Sequence, residues 1–221
     1  MVSHSLDVLA QLEPRVPAAT AERAGLRSGV SVPVEPSLSA SVIVLRERLG
    51  ELQTYLLHRH ARMPFAASMV VFPGGGVDPV DHGSGDPIRA CACRETREET
   101  GVRLRSADLW AWAHWITPEF EPRRFDTQFF VAELPAGQHA ADVSGETDFA
   151  AWTAPSAAVA AERSGEIALL PPTLSILLEL AEAGTLEAVR DRATDRVIET
   201  VLPELVTDGV GWQFRYPEVR R

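Results

Sequence analysis

The sequence predicts an α+β sandwich built on a mixed sheet, and three features carry that expectation. Strand-like runs recur between residues 40 and 153. Among them lies one clearly punctuated helix, opened by Asp86-Pro87 and closed by Gly101. Helices do not alternate regularly with the strands, which argues against a doubly wound parallel sheet.

Residues 1–36 mix Pro, Ser and Ala without sustained periodicity and read as an extension, with a short helix over 18–24. The β-branched run Val42-Ile43-Val44 within residues 40–46 suits a buried strand. Gly50 marks a turn, and residues 54–58 form the hairpin partner. Residues 69–72 form a further strand, stopped by Pro73-Gly74-Gly75-Gly76. A loop rich in Asp, Gly and Pro runs over 77–85. Asp86 then stands at the N-cap, Pro87 at the first helical position and Gly101 at the C-terminal cap. Strands are expected around 110–115, 125–133 and 149–153, and helices over 155–163 and 172–183. After Gly184 a helical stretch to about Val201 precedes an irregular end. The chain of 221 residues divides into an N-terminal extension (1–36), one domain (37–185) and a C-terminal extension packed on it (186–221).

Composition narrows the function. A net charge of −10 disfavours a nucleic-acid partner. All 21 basic residues are Arg, so lysine-dependent Schiff-base, P-loop and Ser-Lys mechanisms are excluded. Any phosphate held by a permanent cation must be held by Arg. Apolar runs are too short for a transmembrane helix and the N-terminus reads as no signal peptide, so the expectation is a cytoplasmic protein with no membrane partner. Cys91 and Cys93 diverge by about 200° on a helix, so neither a bridge nor a shared metal is expected. They read as small, buried, reduced thiols. Ser84 between two glycines lacks the nucleophile-elbow pattern.

The segment Arg94-Glu95-Thr96-Arg97-Glu98-Glu99-Thr100-Gly101 carries the chemistry. With Glu95 at zero on a helical wheel, Glu98 falls at about −60° and Glu99 at about +40°. Ile88, Cys91 and Ala92, at about 20°, −40° and 60°, begin the same stripe one to two turns earlier. Arg89, Ala90, Cys93, Arg97 and Thr100 form the opposite side. A stripe that starts apolar faces the core, so its glutamates point inward or into a cleft. Three such carboxylates repel one another unless a divalent cation holds them, and oxygen-only donors select Mg²⁺ or Mn²⁺. Arg94, four residues before Glu98, is placed to orient it.

At these residues the chain resembles the Nudix hydrolases, whose box reads G-x5-E-x7-R-E-U-x-E-E-x-G-U with U bulky and apolar. Arg94-Glu95, Glu98-Glu99, Gly101 and Val102 match in place, and Phe72-Pro73-Gly74-Gly75 is typical of the residues before the box. Counting back from Arg94 puts Asp86 where the first Glu stands, with five extra residues between Gly75 and Asp86. Thr96 takes the place of the apolar residue. The resemblance implies an α/β/α sandwich and Mg²⁺-assisted attack of water on a diphosphate. It implies Glu95, Glu98, Glu99 and a glycine-turn carbonyl (Gly74 or Gly75) as metal ligands. Glu98 is the first candidate for the general base and Glu146 the second.

Leu56-Leu57-His58-Arg59, Met63-Pro64 and Arg123-Arg124-Phe125-Asp126-Thr127 resemble the branch of this family that contains coenzyme A diphosphatases. The substrate expected on that basis is coenzyme A or an acyl derivative. ADP-ribose, NADH or a nucleotide sugar is the alternative, and a non-catalytic ligand-binding module the third reading. Arg59, Arg62, Gly74 and Arg124 are the candidate substrate-binding residues. Trp110, Trp112 and Trp115 read as core, and His58, His60 and His82 carry no metal-ligand spacing. A homodimer is the expected assembly by analogy with the family.

Overall fold

Strands β1 (Ser37–Arg48) and β2 (Glu51–Arg59) are joined by a two-residue turn in which Leu49 and Gly50 both take positive φ, 54° and 77°. The computed structural model describes residues 8–12, 22, 33–59, 68–145, 147–207 and 211–216. The two strands stay paired only from Arg48↔Glu51 to Leu45↔Thr54 and then part. Into the gap come β3 (Val70–Val71), which pairs with β2, and β4 (Gly74–Gly76), which pairs with β1. Pro73 lies at the crossing, where its missing N–H costs no ladder bond, and its carbonyl accepts Val42 N–H at 2.8 Å.

The other edge of β1 runs parallel to β6 (Phe125–Glu133). Beyond it come antiparallel β5 (Trp110–Ile116) and the short parallel β8 (Thr200–Val201). β7 (Thr147–Thr153) pairs antiparallel with β2 and completes the mixed sheet. Alternation along β1 divides the core. Ala40, Val42 and Val44 face helix α1 (Pro87–Thr100), with Phe130 and Ala132 beside them. Ile43, Leu45, Phe129 and Val131 face the other way. There α2 (Pro155–Arg163), α3 (Pro171–Ala183) and α4 (Leu186–Thr194) supply Val159, Ile176, Leu177, Leu180 and Val189. The α/β/α sandwich with a mixed central sheet is therefore as the sequence predicts.

The C-terminal region differs from expectation. α4 stops at Thr194, β8 adds to the sheet, and β9 (Glu204–Thr207) pairs with β10 (Trp212–Arg215) where an irregular end was expected. The helix cannot usefully continue: Val197, Ile198, Thr200 and Val201 are β-branched. Arg196 is also drawn inward, its guanidinium 4.1 Å over the Trp112 ring and 2.5 Å from Glu179 Oε2. The β9–β10 hairpin meets the body through Phe214 stacked on Phe120 and Tyr216 edge-on to Trp115. Leu9 and Leu12, from the N-terminal region, are buried in the same core as α2–α4. The helix expected over 18–24 lies outside the described residues. Among those described, no helix is long and apolar enough to cross a membrane.

Candidate active site

α1 begins as the sequence requires. Asp86 accepts Arg89 N–H at 3.1 Å as N-cap, Pro87 occupies the first turn, and Gly101 closes the helix in the left-handed region (φ 74°). Cys91, Ala92, Thr96, Glu99 and Thr100 are its buried residues. On the wheel their mean direction is about +60°, not zero. This rotation grades the three glutamates. Glu99, near the centre of the buried stripe, is 6% exposed, whereas the Glu95 side chain, about 60° off it, is 17% exposed. Glu98, about 120° off, has a side chain 48% exposed. Glu98 therefore stands at the rim, not pointing inward with the other two. Thr100, expected on the outer side, is fully buried.

The two threonines make the rotated stripe tenable. Thr96 Oγ1 donates to Ala92 O at 2.7 Å and Thr100 Oγ1 to Thr96 O at 2.5 Å, so both hydroxyls are satisfied inside the core. Thr96 thus fills the place of the apolar residue.

The glycine turn receives the two inner carboxylates. Gly74 N–H donates to Glu99 Oε2 at 2.8 Å. The Glu95 carboxylate lies directly against Gly75, where a β-carbon would stand 2.4 Å from Oε1 and 2.5 Å from Cδ. Only glycine leaves that space. At Gly74 a β-carbon would instead strike the β1 backbone, 2.4 Å from Ala40 O. Cys91 Sγ sits under the turn, 3.4 Å from Gly75 O and 3.2 Å from Gly76 O, and burial pushes its thiol up to about 12. Cys93 lies apart, 3.9 Å from Ser106 Oγ and only half-buried; both cysteines are free.

Arg94 ties the cluster together. Its Nε and Nη2 fork onto the two Asp81 oxygens at 3.0 and 2.9 Å. Nη1 reaches Glu95 Oε1 at 2.7 Å and Glu98 Oε2 at 3.2 Å, and Nη2 also donates to Gly76 O at 3.0 Å. The Arg94 hydrogen bonds hold the Asp81 carboxyl below its usual range. Burial raises Glu95, against the opposing pull of Arg94.

Asp81 corrects the reading of the box. Asp86 caps the helix and pairs with Arg89, its side chain 53% exposed, and makes no contact with Arg94. Asp81, 3% exposed at the side chain, makes the fork instead. Counted forward, Gly75 and Asp81 are separated by five residues, the family spacing, so the extra five residues lie between Asp81 and α1. Counting back from Arg94 hides this; counting forward from the glycine finds it.

The other sequence-derived candidates scatter. Arg124 is buried, and its guanidinium donates to Thr117 O and Val34 O at 2.9 and 2.8 Å, tying β6 to the segment before β1. Arg59 ends β2, and its Nε is buried without a partner among the described residues. Arg62 and Glu146 lie outside the described residues. Among those described, no group of three or more His, Cys, Asp or Glu side chains stands close enough to hold a metal.

Known proteins share this architecture. A putative Nudix hydrolase of Caenorhabditis elegans is 28% identical over 180 residues, covering 65% of this chain and 60% of that protein. An acyl-coenzyme A diphosphatase of Gallus gallus, NUDT19, is 30% identical over 103 residues, 43% of this chain and 27% of its own. This chain thus spans less than two thirds of either relative. A Nudix hydrolase structure from Alicyclobacillus acidocaldarius superposes with TM-score 0.63 at 24% identity, over 72% of this chain and 96% of that one. The NUDIX domain family matches residues 35–171, more than half of the sequence and the whole of the sheet-and-helix site above, and the chain belongs to the Nudix superfamily.

Proposed function

We propose that this chain hydrolyses the diphosphate linkage of a nucleoside diphosphate derivative with Mg²⁺, and that coenzyme A or an acyl-coenzyme A is its substrate. Mg²⁺-dependent diphosphate hydrolysis is typical of the Nudix fold. One observation carries the reading: Glu95 and Glu99 both end at the glycine turn while Arg94, fixed by Asp81, touches Glu95 and Glu98.

The donors suit a hard cation. They are all oxygens, and the space over Gly75 is one that a β-carbon would fill. Glu95, Glu98, Glu99 and the Gly75 carbonyl would hold Mg²⁺, with Mn²⁺ as a substitute. When bound, the ion supplies a water of lowered pKa and neutralises charge on the phosphoryl oxygens. Glu98, the exposed member, is the general base of this reading, with Glu146 the second candidate. Arg94 positions Glu95 and Glu98 and does not itself meet substrate. Gly74, Arg59, Arg62 and Arg124 remain the proposed substrate-side residues, with Arg124 acting through the segment that it anchors. The coenzyme A assignment draws on the Arg123-Arg124-Phe125 segment and on the name of the Gallus gallus relative.

The test is a Mg²⁺ hydrolysis panel of coenzyme A, acyl-coenzyme A, ADP-ribose, NADH and nucleotide sugars, with products identified by mass. A Glu98→Gln variant is run beside the wild type and is expected to lose at least ~100-fold in rate. Cleavage confined to ADP-ribose removes the coenzyme A assignment. Binding without turnover of any diphosphate makes the chain a ligand-binding module.

A further inference from the structure

Gly75, Ala40, Gln128, His114 and Thr200 stand in one register row across β4, β1, β6, β5 and β8. Residues opposite one another in a sheet present their side chains to the same face. That face is the one α1 covers, since Ala40 and Phe130 (two residues on from Gln128) pack in the α1 core. The row thus leads from the Glu95 carboxylate over Gly75 onto a stretch of sheet beyond the helix. At about 4.8 Å per strand, Gln128 lies roughly 10 Å and His114 roughly 14 Å from Gly75.

A polar relay occupies this stretch. His114 Nε2 is 2.5 Å from Asp126 Oδ1, and Thr200 Oγ1 is 2.8 Å from His114 Nδ1. Gripped in this way, the Asp126 carboxylate is fixed in orientation, and its Oδ2 has no partner among the described residues. The Gln128 amide likewise has none. Next to them runs a second row, Leu38–Asp126–Ile116, with Leu38 44% exposed. An acceptor with fixed orientation and an amide that both donates and accepts therefore border an apolar surface.

We infer that Gln128 and Asp126 recognise the adenine base of the substrate, with Leu38 and Ile116 against its flat face and His114 holding Asp126 in place. The chemistry is specific. An adenine edge sets an exocyclic amine beside a ring nitrogen acceptor, which a glutamine amide pairs with in bidentate fashion. The Asp126 carboxylate, an acceptor alone, takes the second amine hydrogen. Hypoxanthine, with a carbonyl in place of the amine, sets an acceptor against the Asp126 carboxylate, itself an acceptor alone, and is rejected there, whereas the Gln128 amide can turn to donate to it. This inference rests on the diphosphatase reading only for the direction of the substrate, whose phosphates lie at the glycine turn.

Equilibrium binding of AMP and of IMP tests it, because neither contains a diphosphate to be cleaved. Calorimetry on the full chain, with and without Mg²⁺, is expected to show AMP about tenfold tighter than IMP, the worth of one good base-edge pairing. Gln128→Ala and Asp126→Asn are each expected to lower AMP affinity about tenfold, and Asp126→Asn to abolish the preference over IMP, because an Asn amide can donate to the hypoxanthine carbonyl. The Gln128 amide has no hydrogen-bond partner among the described residues to lose, so that variant keeps the fold. Equal affinity for AMP and IMP, an unchanged AMP affinity in Gln128→Ala, or an unchanged preference in Asp126→Asn overturns the inference even if the chain hydrolyses diphosphates. A base preference that persists in a protein hydrolysing nothing supports this site and removes the proposed activity alone.

Discussion

Replacing Asp81 and Asp86 separately by Ala distinguishes the two positions by energy. Asp81 is almost fully buried, accepts both arms of Arg94, and also accepts Asp78 N–H at 2.8 Å. Removing one partner of a buried ion pair costs about 3–5 kcal/mol, because the other charge is stranded. Arg94 retains Glu95, Glu98 and Gly76 O, which places Asp81→Ala near the lower end, at about 3 kcal/mol. Asp86 contributes one exposed N-cap hydrogen bond, worth about 1 kcal/mol. The difference of about 2 kcal/mol corresponds to roughly 4–8 °C in Tm for a chain of this size. Urea unfolding of both variants beside the wild type measures it, and Asp81→Ala should also lose most of the proposed hydrolysis, because Arg94, still paired with Glu95 and Glu98, is no longer anchored by the fork that fixes their position. The pH dependence has a definite sign. A carboxyl depressed below its ordinary 3.8 in the fold stabilises above that value, and the contribution fades as pH falls through the folded pKa. The stability gap between wild type and Asp81→Asn is therefore constant above about pH 4 and shrinks below it. Equal cost for the Asp81→Ala and Asp86→Ala variants, or a gap that does not close in acid, would refute the assignment of Asp81 to the box.

Other outcomes follow from single contacts. Gly75→Ala brings a β-carbon to 2.4 Å from Glu95 Oε1, so the carboxylate must leave the turn; Mg²⁺-dependent hydrolysis should fall at least ~10-fold while Tm drops by only a few degrees, as activity and thermal melting would show. Leu49→Asn removes a fully exposed Leu from a left-handed turn position that Asn tolerates far better, and should stabilise by about 0.5–1 kcal/mol in urea unfolding. Inserting two glycines after Gly83 lengthens a loop that carries neither the fork nor the turn and should cost under about 1 kcal/mol. One residue inserted between Val77 and Asp78 should cost as much as Asp81→Ala, which parallel unfolding curves would compare.

Local pattern made most of the fold readable. The alternation of β1 and β6, the capping of α1 and the Pro-initiated helices α2 and α3 are all short-range signals, and each element formed where its signal lay. The hairpin β9–β10 also had one, since Trp212-Gln213-Phe214-Arg215 alternates apolar and polar residues. What had no local signal was the division of labour along β1, whose first half pairs with β4 and whose second half pairs with β2. That arrangement depends on where β2 and β1 separate, a property of two strands jointly. It nevertheless decides that the glycine turn lies under α1.

The site was legible in its residues and less so in its geometry, for a reason the helix makes plain. A wheel fixes the angles between side chains but not which direction faces the sheet, and the sequence suggested a stripe centred on Glu95 because Cys91 and Ala92 flank it. Thr96 and Thr100 carry no hydropathy signal, yet both are fully buried, because each satisfies its hydroxyl on a carbonyl four residues back. That self-satisfaction turns the helix by about 60° and sends Glu98 to the rim, where it meets Arg94 and Arg97 at 3.2 and 3.4 Å. An exposed carboxylate between two arginines, beside two carboxylates enclosed at the turn, is a division suited to the proposed chemistry, since holding a cation rewards enclosed donors and moving a proton rewards a group that water can reach. The rotation that the sequence concealed thus sets the proposed base, itself one of the three proposed carboxylate ligands, apart from the two inner ones, and it does so through two buried threonines whose hydroxyls donate within the helix.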